Sequence, residues 1–264
     1  MLRILVCLKQ AIDVSQLKAD PSTGRLVTAG VPRKISDFDK NALEEAVRLK
    51  EKLGGVVVTL TASAEDAKTS IREALAMGAD KGYFIYDEAL LGSDTLAVST
   101  ALAGAVKKID DFDLILCGEA SIDGFSAQIG PRLAELLNIP IVTYARKVAL
   151  EGETVTVERT LEDRYETAKC KTPAVVTVTK EINDPRIPSL MAIMKASKKE
   201  IVNWKLADID VAPEKVREAG WGVKIVDVLA PKVERKKIAI EGENPAEIAE
   251  KLAKALIQEG VVGR

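Results

Sequence analysis

Among its 264 residues the chain has no histidine. That absence removes the commonest general base, the commonest transition-metal ligand and every histidine-containing triad. Cysteine is scarce: Cys7, Cys117 and Cys170 stand far apart in apolar or strand-like surroundings, with no CxxC pair. A Cys/His zinc site is therefore excluded, no metal site is expected, and the thiols read as buried and free in a reducing, cytoplasmic compartment. Aromatic residues make up 4%, too few for base-stacking platforms. Neither sign of charge prevails, with 38 basic and 40 acidic residues and a net charge of -2. Bulk charge thus gives no reason to expect a nucleic-acid partner. Apolar runs such as Gly54 to Leu60 are far too short to insert across a bilayer. The opening Met1 to Lys9 is too short for a signal peptide and lacks a small-residue cleavage site. Two phosphate-binding fingerprints are also missing. The first strand runs into Lys9-Gln10-Ala11-Ile12-Asp13 instead of GxGxxG, and no GxxxxGK[ST] occurs.

What is present is an alternation of strand and helix patterns. Hydrophobic residues are 47% and charged residues 30%, as in a folded globular chain. Arg3 to Leu8, Val56 to Leu60, Gly82 to Tyr86, Asp113 to Cys117 and Pro140 to Thr143 read as buried strands. Helices are expected over Lys40 to Lys52, Ala64 to Met77, Thr95 to Lys107 and about Ser126 to Leu137. Asp94 or Ser93 caps the third of these. The alternation predicts an α/β fold with a doubly wound parallel sheet. After residue 145 the pattern changes to Lys147 to Leu150, Thr154 to Thr160, Tyr165 to Cys170 and Ala174 to Thr179, which read as antiparallel edge strands. Residues 1–204 are taken as the α/β domain. From 205 to 244 no regular period is visible, and a last helix follows from about Pro245 to Glu259. Residues 205–264 are therefore expected to form an arm that packs on a partner chain.

The strongest local signal is the loop Gly118-Glu119-Ala120-Ser121-Ile122-Asp123-Gly124-Phe125-Ser126-Ala127-Gln128-Ile129. It follows a buried strand and precedes a helix, where open α/β sheets bind ligands and free helix amides meet phosphate. An ordinary βα loop with a cap is the competing reading. Ser36-Asp37-Phe38-Asp39 precedes a helix and can border a nucleotide or simply cap that helix. Lys9 and Asp13 face the same cleft or lie in solvent. Leu190, Met191, Ile193 and Met194 with Lys195, Lys198 and Lys199 make a basic segment with apolar tips, either a protein-docking element or a solvated charged face.

Several segments in order resemble the beta subunit of electron transfer flavoprotein, over nearly the whole chain. They are Ile4 to Gln10, Asn41 to Lys50, Arg72 to Asp80, Ala120 to Gly124, Val157 to Asp163 through Pro173 to Thr177, and Asn183 to Arg186 with Ile193 to Ala196. The resemblance implies a heterodimer whose alpha subunit carries a redox-active FAD. The beta subunit then holds a second nucleotide, AMP in ordinary carriers and FAD in electron-bifurcating members. Carried onto this sequence, its binding positions are Cys7, Ser36, Asp37, Phe38, Asp39, Ala62, Gly118, Ala120, Ser121, Ile122, Asp123, Gly124, Phe125, Ser126, Ala127, Gln128 and Ile129. The segment at about 183–200 is similar to the family's recognition loop, in which a leucine, here Leu190, anchors a dehydrogenase or quinone oxidoreductase partner. Asp123-Gly124, Ala127-Gln128 and Gly130-Pro131 resemble the bifurcating type, as do Asp39 to Leu43 and Gly92 to Thr95. FAD is therefore ranked above AMP, with NADH as its reductant. Arg164, and Phe125 in place of a small acidic residue, depart from the pattern.

Two rivals make different use of such a sheet. A nucleotide-sensing module ends soon after the fifth strand, whereas this chain continues for about 120 residues, as expected of one built around a partner. An ATP-using ligase requires a glycine-rich phosphate motif and a metal site, and neither is present.

Overall fold

Strand β1 (Arg3–Cys7) sends Ile4 and Val6 into one hydrophobic core and Leu5 and Cys7 into another, the two-residue alternation of a strand covered on both faces. This computed structural model describes residues 1–63, 65–109, 112–219, 222–223, 225–231 and 236–262. Helix α1 (Asp37–Leu53) leads from β1 to β2 (Val56–Ser63), and α2 (Lys68–Met77) to β3 (Lys81–Tyr86). The helix start expected at Ala64 lies outside the described residues. Helix α3 (Thr95–Ile109) returns the chain to β4 (Leu114–Gly118), which pairs with the opposite side of β1. Ile4 to Val6 thus lie parallel to Val57 to Thr59 on one side and to Leu114 to Leu116 on the other. Strand order diverges between β1 and β4, and that divergence positions the site.

Helix α4 (Ile129–Leu137) is followed by β5 (Ile141–Glu151), β6 (Thr154–Thr160), β7 (Tyr165–Lys171) and β8 (Ala174–Val178). Past α5 (Leu190–Ala196) comes β9 (Ile201–Trp204), and the sheet order is β7-β6-β5-β8-β4-β1-β2-β3-β9. The parallel sheet and the antiparallel flank of β6 and β7 are as the sequence predicts. Two assignments are corrected. Ala174 to Val178 is not an edge strand: it lies parallel between β4 and β5, and all five of its residues are buried. An uninterrupted Ala-Val-Val-Thr-Val run is the composition of a strand covered on both faces. Lys147 to Leu150 is not a separate strand but the continuation of β5. Strand β9 is an addition: its four residues pair in parallel with β3 although none is fully buried.

One core, under α1 and α2, contains Leu43, Val47, Ile71 and Phe84; the other, under α3 and α4, contains Leu60, Leu102, Ile115 and Leu133. Asp94 caps α3, its Oδ1 accepting the N–H groups of Leu96 and Ala97 at 2.9 and 3.0 Å. The second core also takes in Leu206, Ile209, Val211 and Val216, the last from α6 (Pro213–Ala219). The described residues from 205 to Val228 therefore belong to the sheet unit. Single apolar anchors on short turns bury without the period that betrays a strand or helix.

The second unit consists of residues 19–25 and 229–264. A turn at Asp20, whose carboxylate accepts the N–H groups of Ser22 and Thr23, places Arg25 opposite Leu229. Helix α7 (Pro245–Gln258) starts at Asn244, whose side chain caps the Glu247 N–H at 3.0 Å. None of its side chains is buried. Among the described residues no helix is long and apolar enough to cross a membrane.

Candidate functional site

Three chain segments meet where β1 and β4 leave the sheet. From α1, buried Asp39 reaches both strands: its Oδ2 accepts the Lys9 N–H at 2.8 Å and its Oδ1 the Gly118 N–H at 3.1 Å. Gly118 is required for this approach, since a Cβ there would lie 2.6 Å from Asp39 Oδ1 and from Phe38 Cβ. Ser36 is fully buried and does not cap α1 with its side chain; its Oγ accepts the Ile122 N–H at 3.3 Å. Plain N-capping, one of the two roles open to Ser36 in the sequence, is thus not what its hydroxyl does. Lys9 crosses from β1 to the loop, its Nζ 2.7 Å from Asp123 Oδ1 and 3.4 Å from Ser121 Oγ.

The loop is tightly wound. Ser121 carbonyl accepts the Phe125 N–H at 3.0 Å, and Asp123 Oδ1 accepts the Gly124 N–H at 2.7 Å. Phe125 and Ala127 have φ of 45° and 53°, left-handed backbone that costs a side-chain-bearing residue about 1 kcal/mol or more. The Phe125 ring leans on Phe38 with centroids 5.9 Å apart, yet the residue remains 67% exposed. Gln128 precedes α4 without capping it; its Oε1 accepts instead the Thr95 hydroxyl at 2.5 Å. The first turn of α4 leaves the Ile129 and Gly130 amides free of any cap from that side chain, Pro131 having none. Strained turns before an uncapped helix start, in a loop that also holds the Lys9 ammonium at Asp123, form a donor set suited to a phosphate or pyrophosphate.

Burial raises the Asp39 carboxyl to about 7, although the Lys9 and Gly118 amides pull the other way. Asp123 is pushed up by burial but held below the ordinary carboxylate range by its hydrogen bond from Lys9. Glu119, beside the loop, is raised by burial and by the charge of Glu181.

The remaining expected positions divide. Cys7 is buried at the end of β1, and Ala62 lies two residues past Leu60, the register partner of Cys7, so both flank the β1 exit. Ala120 is buried at the loop start and Ser126 is exposed at its tip. Ile129 begins α4 and packs on the core. Asp37 turns to Lys34, 3.0 Å away, and Lys34 also reaches Asp13 at 3.6 Å; these two acids pair away from the loop. Thr95 was not among the expected site residues, but Gly92 to Thr95 carries a marker of the family resemblance. Cys117 sits beside Cys7, whose hydrogen bond together with burial pushes the Cys117 thiol well above its usual range, so it is inert wall. Among the described residues no cluster of three or more Cys, Asp or Glu side chains can hold a metal ion.

A parallel sheet whose strand order diverges at β1 and β4, with polar loops gathered there, defines a doubly wound α/β protein, a class that takes its ligands at such switch points. The model of the electron transfer flavoprotein domain matches residues 23–209. The chain is 44% identical to electron transfer flavoprotein subunit beta of Thermoanaerobacterium thermosaccharolyticum, over 89% of this chain and 90% of that one. It is 38% identical to the same-named subunit of Megasphaera elsdenii, over 99% and 100%. Caffeyl-CoA reductase-Etf complex subunit CarD of Acetobacterium woodii is 41% identical over 81% and 82%. The chain belongs to the electron transfer flavoprotein family, as a beta subunit.

Proposed function

We propose that this chain binds an adenine nucleotide, FAD in preference to AMP, at the β1/β4 switch point, in a heterodimer with an electron transfer flavoprotein alpha subunit. One observation carries the reading: Asp39, Ser36 and Lys9 tie β1, α1 and the 118–129 loop into a single polar cradle at that point. The ranking of FAD is supported by the link between Thr95 and Gln128, which joins two of the segments that resemble bifurcating members. Phe125 is the departure, and AMP as a structural nucleotide is the second reading.

In this scheme the chain's own groups bind and orient. The Ile129 and Gly130 amides and the Lys9 ammonium would hold the phosphates, and Asp123 fixes the lysine. Buried Asp39 keeps the two strand ends at a set spacing, and no side chain need move a proton, in keeping with the absent histidine. FAD held there would supply redox chemistry between NADH and the alpha subunit. Leu190 and its neighbours dock a dehydrogenase or quinone oxidoreductase. The Acetobacterium woodii relative, named as part of a reductase complex, supports such an assembly. The arm beyond residue 229 covers the alpha subunit, since Ile248, Leu252 and Ile257 of α7 are 36–60% exposed.

Quantifying flavin in the purified heterodimer tests this. Two flavins per heterodimer, bleached by NADH, are expected. One flavin plus AMP supports the second reading, and no flavin with the alpha subunit present contradicts both.

A further inference from the structure

Helix α1 carries a polar stripe, Asn41, Glu44, Glu45 and Arg48, at helical spacing, and residues 183–186 cover it. Asn41 Nδ2 donates to the Asn183 carbonyl at 2.6 Å, and Asn183 Nδ2 donates back to the Asn41 carbonyl and to Glu45 Oε2, each at 3.1 Å. Arg186 grips Glu44 with two nitrogens, Nε at 2.8 Å and Nη2 at 3.1 Å, while Nη1 reaches Glu51 at 2.6 Å. The Glu44 side chain is only 4% exposed. A two-pronged guanidinium–carboxylate pair fixes orientation as well as distance.

A second clamp lies at the far end of α5. Arg72 Nη1 donates to the carbonyls of Ala196 at 2.8 Å and Lys199 at 2.6 Å, around the end of that helix. Lys199 Nζ returns to the carbonyls of Leu75 and Ala79, around the end of α2. Each cation thus takes one carbonyl of a helix's last turn, Ala196 in α5 or Leu75 in α2, and one just beyond it. Helix α5 has seven residues, too few to be stable alone. Ala196 is its one buried residue, while Leu190, Met191, Ile193 and Met194 are 52–74% exposed. With one side chain in the core and a Ser189 cap at its start, the helix depends on the clamps on either side of it, and Lys195 and Lys198 stand exposed beside the apolar tips.

We propose that Arg186 and Arg72 are positioning residues for partner recognition: they hold α5 ready, so that a protein electron partner with an apolar socket and an acidic rim docks without first ordering the segment. This deepens the docking role proposed above and rests on it.

The test uses the heterodimer and, as probe, the purified dehydrogenase that exchanges electrons with the wild-type complex. Amide exchange over residues 183–199 and the KM and kcat for electron transfer are measured together. Arg186→Ala should speed exchange in 187–196 by roughly tenfold or more and raise KM by roughly tenfold, with kcat at saturation and flavin content unchanged. Arg186→Lys keeps the charge without the fork and should recover only part of the loss. Glu51→Gln, at an exposed carboxylate, loosens the same clamp without orphaning a buried charge and should give a smaller effect of the same kind. Unchanged exchange in both Arg186→Ala and Glu51→Gln overturns the clamp, and faster exchange with unchanged KM overturns the positioning role. Leu190→Ala separates the two levels: it should raise KM with exchange unchanged. If it leaves KM unchanged while Arg186→Ala still loosens α5, the docking reading falls and the clamp stands.

Discussion

Replacing Asp39 by alanine is expected to destabilise the sheet unit by about 2–6 kcal/mol, from about 1–3 kcal/mol for each of two amides left buried without an acceptor. Those amides belong to Lys9 and Gly118, the exits of β1 and β4. A domain stable by about 5–15 kcal/mol then loses a large part of its margin, and the loss falls on the cradle. Urea unfolding of the heterodimer should show a lower midpoint, and the purified variant should retain less nucleotide than wild type. Asp39→Asn should cost less, since one carboxamide oxygen still accepts one amide. The same residue makes stability depend on pH. Burial raises its carboxyl from 3.8 to about 7, so the folded chain holds a proton that the unfolded chain has released. The resulting stabilisation is fully present below pH 3.8 and is lost as pH rises through about 7. Other acids, Asp123 among them, are lowered and tilt the curve the opposite way. The difference between wild type and Asp39→Asn isolates the residue: it should shrink steadily over this window. A difference that is flat across the window, or grows with pH, would show that Asp39 is ionised throughout.

Leu190→Ala is expected to raise the KM for the electron partner by about one to two orders of magnitude, the equivalent of about 1.5–3 kcal/mol for burying a leucine side chain. Leu190 is 74% exposed in the chain alone, so its removal opens no cavity and the thermal midpoint should hardly move. Leu190→Met should keep most of the interaction, because methionine fills a similar volume and adapts its shape. Steady-state electron transfer at varied partner concentration measures both. An unchanged KM for the alanine variant would rule out the leucine as an anchor.

The sheet was legible in the sequence because buried parallel strands are short apolar runs, and the runs ending at Leu8, Leu60, Tyr86 and Cys117 lie between helices with clear apolar stripes. Ala174 to Val178 reads as an edge strand only by its place after two alternating strands; its uninterrupted Ala-Val-Val-Thr-Val run was the local sign of a central one, while its partners β4 and β5 leave no mark in the sequence. Strand β9 was missed because Ile201-Val202-Asn203-Trp204 is short and only half-buried. In the site, the loop at 118–129 showed through its turn residues and its position before a helix. The contacts that organise it did not. Asp39 to Gly118, Ser36 to Ile122 and Lys9 to Asp123 each span about 80 residues or more, and a serine or aspartate at a helix start looks the same whether it caps that helix or reaches a distant strand. The stripe of Asn41, Glu44, Glu45 and Arg48 was hidden for a related reason: a polar face covered by Asn183 and Arg186 has the composition of one covered by water.

Every role proposed for this chain requires a nucleotide at the β1/β4 switch point, held by the loop that leads into α4. The most direct measurement is a crystal structure of the complete heterodimer. Density is expected for an adenosine phosphate against Ser121 to Ile129, with its phosphates at the start of α4. A heterodimer whose cleft is empty, or plugged by side chains of the alpha subunit, would contradict it.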